Sequence, residues 1–142
     1  MRKMTFIASA LLMLGLSGGA AFAQDAAAGE QVFKKCRSCH QVGPEAKNGV
    51  GPAQNGVIGR RAGTVEGYNY SAINKAAGEA GLVWTEENVF AYLADPNAFL
   101  KAFLTEKGKA DLATGSTKMA FKLADEGERK SVVAYLKTVP AK

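Results

Sequence analysis

The residues best equipped for chemistry lie within five positions, Cys36-Arg37-Ser38-Cys39-His40. Two thiols three residues apart, followed at once by an imidazole, have the spacing that attaches a c-type haem. Each thiol can add to one vinyl group of a porphyrin, and the adjacent imidazole is then held under the iron as its fifth ligand. The chain has two Cys and one His, so this motif uses all of them. Three other readings fit less well. A thioredoxin-like redox pair needs a βαβ setting, and no strand–helix–strand pattern is present. A structural zinc site needs four Cys or His ligands, and only three exist here. A disulfide between Cys36 and Cys39 would leave His40 unexplained.

A haem iron takes a second axial ligand, and thioether sulfur is a suitable one. Met1, Met4 and Met13 lie in the first segment of the chain, which leaves Met119. Taken alone, Met119 also fits as a gap-filling core residue.

The first segment has the order of a secretory signal peptide. Arg2 and Lys3 precede an apolar run from Phe6 to Leu16, and Ala21-Phe22-Ala23 closes it. The apolar run is too short to span a bilayer. Residues 1–23 are therefore expected to be cleaved, leaving residues 24–142 as one 119-residue domain in an oxidising, exported compartment. Cleavage lowers the 18 basic residues to 16 against 13 acids, a net charge of +3. That balance is too mild for a nucleic-acid binder, which shows a basic stripe with a binding motif.

Elements must position the motif. Gly29, Val32, Phe33 and Cys36 share one helical face, which predicts a helix over 25–36 leading into the thiols. Residues 41–69 are irregular and Gly-rich, with turns at Gly43-Pro44, Gly51-Pro52 and Gly59 among others. A loop this long is usually functional, and wrapping a flat cofactor is such a function. A short helix is expected over 71–79, ending near Gly81. Thr85 is placed to cap the next helix, and Asp95-Pro96 reads as cap and first residue of another that ends at Gly108. Residues 109–118 form a polar loop that delivers Met119. The last helix opens at Asp125, with Glu128 as its capping-box partner, and stops at Pro140. The first and last helices are expected to cross, with Gly29 at the contact. No strand pattern is present, so the fold class is all-α.

Along the chain these residues resemble the class I cytochromes c, and most of all the bacterial cytochromes c2. The resemblance rests on Phe33 with Cys-x-x-Cys-His, Gly51-Pro52, Gly59-Arg60, Tyr70, Trp84, Tyr92, Thr117-Lys118-Met119 with Phe121, and Ala134-Tyr135-Leu136, all in order. It implies short helices and Gly-rich loops wrapped around one covalently bound haem c. It implies His40 and Met119 as axial ligands, and the Pro52 carbonyl as the partner of the other His40 nitrogen. It further implies that Arg60, Tyr70 and Trp84 hydrogen-bond a haem propionate, that Tyr92 donates to the Met119 sulfur, and that Phe121 lies near the exposed haem edge. Each of these aromatics, on its own, reads as core packing. Two positions depart from the pattern. Gln54 stands where an apolar residue is common, and as a polar group it needs a partner. Tyr68 stands where Phe is common. The segment 97–116 is longer than in mitochondrial relatives, as in long-loop cytochromes c2.

An iron with both axial positions filled has no open site for substrate, so electron transfer is the expected task and no enzyme activity is expected. Lys34, Lys35, Lys118 and Lys122 flank the motif and Met119, where they could steer docking to acidic partners; each is equally readable as an ordinary solvated lysine. The resemblance implies a monomeric periplasmic shuttle with transient contacts. It would accept electrons from a cytochrome bc1 complex and deliver them to a photosynthetic reaction centre or a terminal oxidase. Two alternatives are a haem peroxidase and a five-coordinate gas-binding c-type cytochrome. The first usually needs a distal acid–base group, and the only His is already used. The second usually carries its attachment motif near the C-terminus.

Overall fold

The computed structural model describes the backbone of residues 18–142 and the side chains from Asp25 onward. The expected signal peptide, residues 1–23, lies outside the fully described residues. The described residues form five helices, α1 Gly18–Phe33, α2 Ala72–Glu79, α3 Glu86–Ala94, α4 Pro96–Glu106 and α5 Glu126–Thr138, with one 3₁₀ turn at Ala110–Leu112. Among the described residues there is no strand, and one isolated antiparallel bridge joins Arg61 to Val83. The fold class is all-α, as expected from the chain.

Three of the helices start on the side chains expected to cap them. Thr85 Oγ1 accepts from the Asn88 amide at 3.1 Å, Asp95 Oδ1 from Ala98 at 3.0 Å, and Asp125 Oδ1 from Glu128 at 2.7 Å. Each satisfies an amide that the first helical turn leaves orphaned. Two details differ from expectation. The helix expected over 25–36 runs instead over Gly18–Phe33, and it stops early because the hydrogen bonds tighten to an i→i+3 pattern from Lys34 to Cys36. The capping box at α5 is only half made: the Glu128 carboxylate turns away and pairs with Lys35 Nζ at 2.6 Å.

Helices α1 and α5 cross at Gly29. A Cβ there would fall 1.8 Å from the Ser131 carbonyl oxygen and 2.8 Å from Tyr135 Cβ, so only glycine lets the backbones approach this closely. Phe33 and Tyr135 pack across the same crossing, ring centroids 5.5 Å apart. Ile73, Leu82, Leu100, Leu104 and Val132 complete a dry interior. Burying each such side chain contributes about 1.5–3 kcal/mol.

The Gly-rich segment is stitched to this core. The Gly59 amide donates to the Trp84 carbonyl, Trp84 to Arg60, and Ala62 to Leu82, each at 2.8 Å. Gly78 of α2 sits against the same strip, where a Cβ would meet the Ala62 carbonyl oxygen at 2.1 Å. The segment is therefore fixed across its middle, which leaves residues 50–54 facing the motif residues.

Candidate functional site

The tight turn after α1 carries both thiols and the imidazole. The Cys39 and His40 amides both donate to the Cys36 carbonyl, at 3.1 and 2.9 Å. This winding places Cys36, Cys39 and His40 on the wall of one cavity of about 370 Å³, with Met119 also on its wall. The volume lies within the usual range of cofactor sites, about 300–1,000 Å³. Both thiols are free and half-buried. Burial pushes the Cys36 thiol above its ordinary value, Cys39 adds to this and Lys35 opposes it, so the sulfur stays protonated.

His40 Nδ1 lies 2.8 Å from the Pro52 carbonyl oxygen. Gly51 makes room for the ring: a Cβ there would fall 2.3 Å from His40 Cε1. Burial pushes the His40 imidazole below its ordinary value and Arg60 adds to this, while the Pro52 bond opposes it. The neutral ring is thus favoured. Donation to the carbonyl puts its proton on Nδ1, and Nε2 keeps the lone pair that a metal needs.

Met119 is delivered by a loop tied down at three points. The Thr117 amide donates to Asn97 Oδ1 at 2.9 Å, and the Met119 amide to Thr117 Oγ1 at 3.3 Å. Further on, the Leu123 amide donates to the Leu93 carbonyl at 2.8 Å. Thr117 is buried and Met119 half-buried. The part of Asn97 carries no signal in a single sequence, since it depends on a residue twenty positions away.

Pro52, Arg60, Tyr70, Trp84, Tyr92 and Phe121 line the same cavity. The Tyr92 hydroxyl lies 3.3 Å from Thr117 Oγ1, the oxygen that also accepts from the Met119 amide. Tyr70 accepts from the Val65 amide at 3.3 Å. Arg60 Nη1 donates to the Ala53 and Asn55 carbonyls, at 3.3 and 3.1 Å, while its Nε is buried with no partner. Trp84 packs edge-on to Tyr92 with ring centroids 4.8 Å apart. At the mouth, Phe121 is 44% and Val50 70% exposed, which forms an apolar lip.

The four lysines divide. Lys35 and Lys118 line the cavity, and Lys34 and Lys122 do not. Lys35 pairs with Glu128 and Lys122 with Asp95, each at 2.6 Å, and Lys118 Nζ donates to the Asn69 carbonyl. Lys34 is exposed. Such exposed pairs are each worth about 0–1 kcal/mol, so they leave the positive charge available to a partner.

The donor set fits a haem. Two thiols, a neutral imidazole and a thioether share one apolar-walled cavity, and an unpartnered buried guanidinium N–H matches an anionic propionate. The comparisons agree. The cytochrome c family profile matches residues 26–140, and the chain belongs to this family. Within it, the likeness is to bacterial cytochromes c2. Cytochrome c2 iso-2 of Rhodospirillum centenum is 70% identical over 113 residues, covering 80% of this chain and 93% of the relative. Cytochrome c2 of Rhodopseudomonas palustris is 59% identical over 138 residues, covering 97% of both chains. The solved structure of the Rhodospirillum centenum cytochrome c2 matches with a TM-score of 0.81 at 68% identity, over 82% of this chain and 98% of that one. The ferricytochrome c2 structure from Rhodopseudomonas palustris matches with a TM-score of 0.78 at 64% identity, over 81% and 98%. The chain is thus an electron carrier with one covalently bound haem c, and not an enzyme. No helix among the described residues is long and apolar enough to cross a membrane.

Proposed function

We propose that the chain is a periplasmic shuttle whose haem iron is held between His40 Nε2 and the Met119 sulfur. The observation that carries this reading is the meeting of His40, Met119, Cys36 and Cys39 on one cavity wall. When bound, haem supplies a one-electron Fe(II)/Fe(III) couple. The protein's part is to keep that couple dry and in place. Cys36 and Cys39 hold the porphyrin edge by thioether bonds, and Pro52 orients His40. A thioether favours the ferrous state, so the Met119 loop raises the potential. Arg60, Tyr70 and Trp84 face the propionates, with the free Arg60 Nε supporting that role for the guanidinium. Phe121 and Val50 frame the edge at which the electron leaves.

Docking uses this lip and the surrounding lysines, Lys34, Lys35, Lys118 and Lys122. The partners are a cytochrome bc1 complex as donor and a photosynthetic reaction centre or terminal oxidase as acceptor. The positive rim supports acidic partner surfaces and small, transient contacts between monomers. Periplasmic delivery rests on the signal-like residues 1–23, and their removal leaves residues 24–142 as the mature domain.

The test is the visible spectrum of the purified holoprotein. The oxidised form should show a sulfur-to-iron charge-transfer band that Met119→Ala abolishes. Rapid carbon monoxide binding by the reduced wild type at neutral pH would overturn the Met119 assignment. It would favour instead a five-coordinate haem protein.

A further inference from the structure

Gln54 occupies a position that an apolar residue could fill, and it is held there firmly. Its amide donates to the Gln41 carbonyl at 3.0 Å. The carbonyls on either side of it, Ala53 and Asn55, both accept from Arg60 Nη1. The side chain is half-buried on the cavity wall, and its Nε2 lies 3.1 Å from the Pro52 oxygen and 3.0 Å from His40 Nδ1. The amide is placed with Nε2 toward the Pro52 oxygen, so the Gln54 N–H and the His40 Nδ1–H converge on one carbonyl, which has two lone pairs to offer. Turned over, Oε1 would accept from His40 Nδ1–H but would face the Pro52 oxygen, acceptor against acceptor.

We infer that Gln54 sets the reduction potential by sharing the Pro52 carbonyl with His40. The inference rests on the His40 ligation proposed above and deepens it. A carbonyl that accepts two donors polarises each less than it would polarise one. The His40 ring then carries less anionic character and gives less electron density to the iron. The positive end of the Gln54 amide, 3.0 Å from the ring nitrogen, acts in the same direction. Both effects disfavour the ferric state, so Gln54 holds the potential up. It is a positioning residue: it works through Pro52 and His40 and does not ligate.

The experiment is spectroelectrochemistry on the purified holoprotein and two variants, Gln54→Leu and Gln54→Met. Methionine keeps the length and loses the donor. In both variants the oxidised-to-reduced ratio at a fixed electrode potential should rise about fivefold, which is a fall of ~40 mV at 59 mV per tenfold for one electron. A purely structural role would move the unfolding midpoint and leave the potential alone. Proton NMR of the reduced wild type gives an independent reading. It should show one Gln54 amide proton close to the His40 Nδ1 proton and protected from exchange. An unchanged or raised potential in both variants, with the charge-transfer band intact, overturns this inference alone; so does an exchanging, averaged Gln54 amide in the wild type. Loss of the band from the wild type instead overturns the ligation beneath it.

Discussion

Gly29→Ala should weaken the protein through a single methyl group. The added carbon would sit 1.8 Å from the Ser131 carbonyl oxygen, where ordinary contact begins at 3.4 Å. The α1–α5 crossing must open by about 1.6 Å to admit it. The obstructing atom is helix backbone, so no side chain can swing aside. Overpacking of this kind costs about 1–3 kcal/mol. Opening the crossing also loosens the Phe33–Tyr135 pair, worth about 0.5–1.5 kcal/mol. Against this, alanine gains roughly 1 kcal/mol of helix propensity over glycine. The net loss is about 2 kcal/mol, or roughly 6–12 °C in melting midpoint for a chain of this size. Guanidinium unfolding of the holoprotein, followed by Trp84 fluorescence, measures it directly. Gly127→Ala is the control. Its Cβ meets only Asp125 Oδ1, at 3.2 Å, and the cap bond of that oxygen to Glu128 need give by only a few tenths of an ångström, so it should cost far less than Gly29→Ala. A Gly29→Ala protein as stable as wild type would refute the close crossing.

Three other outcomes follow from the structure. The Lys122 ion pair and the Ala98 amide hold the Asp95 carboxyl below its ordinary value, so its stabilising effect is present above the unfolded carboxylate range, about 3.9, and is lost as pH falls through the lower folded value. Asp95→Asn should therefore flatten the acid limb of the stability profile in guanidinium titrations between pH 2 and 5, and an unchanged limb would contradict it. Electron transfer to an acidic partner should slow as salt rises, and Lys35→Glu with Lys118→Glu should reduce both the rate and its salt dependence in stopped-flow mixing; a flat salt response would remove the lysines from docking. Apoprotein made without haem attachment should be largely unfolded by far-ultraviolet circular dichroism, since a cavity of about 370 Å³ lies where the interior should be; native helical content would contradict this.

Local features were legible in the chain, and distant pairings were not. Thr85, Asp95 and Asp125 each bond an amide three residues on, so their caps could be read without the fold. Gly29 could be read because a glycine on an apolar helical face needs a packing reason. The end of α1 at Phe33 was misplaced, because the apolar spacing continues through Cys36 while the backbone tightens. The partners of Glu128 and Tyr92 were also missed. Glu128 meets Lys35 across 93 positions and Tyr92 meets Thr117 across 25, and no periodicity reports such distances. Gln54 stood out only as a polar misfit, and its partners became clear once Pro52 and His40 were placed around it.

The α1–α5 crossing also governs when the domain can form. The first described helix, α1, finds its counterpart only in α5, the last described one and thirteen residues long. That crossing must wait for the C-terminal segment and costs the entropy of a very long loop. If the chain is exported to the periplasm unfolded, a crossing that closes only when both ends are present would keep it slack during passage.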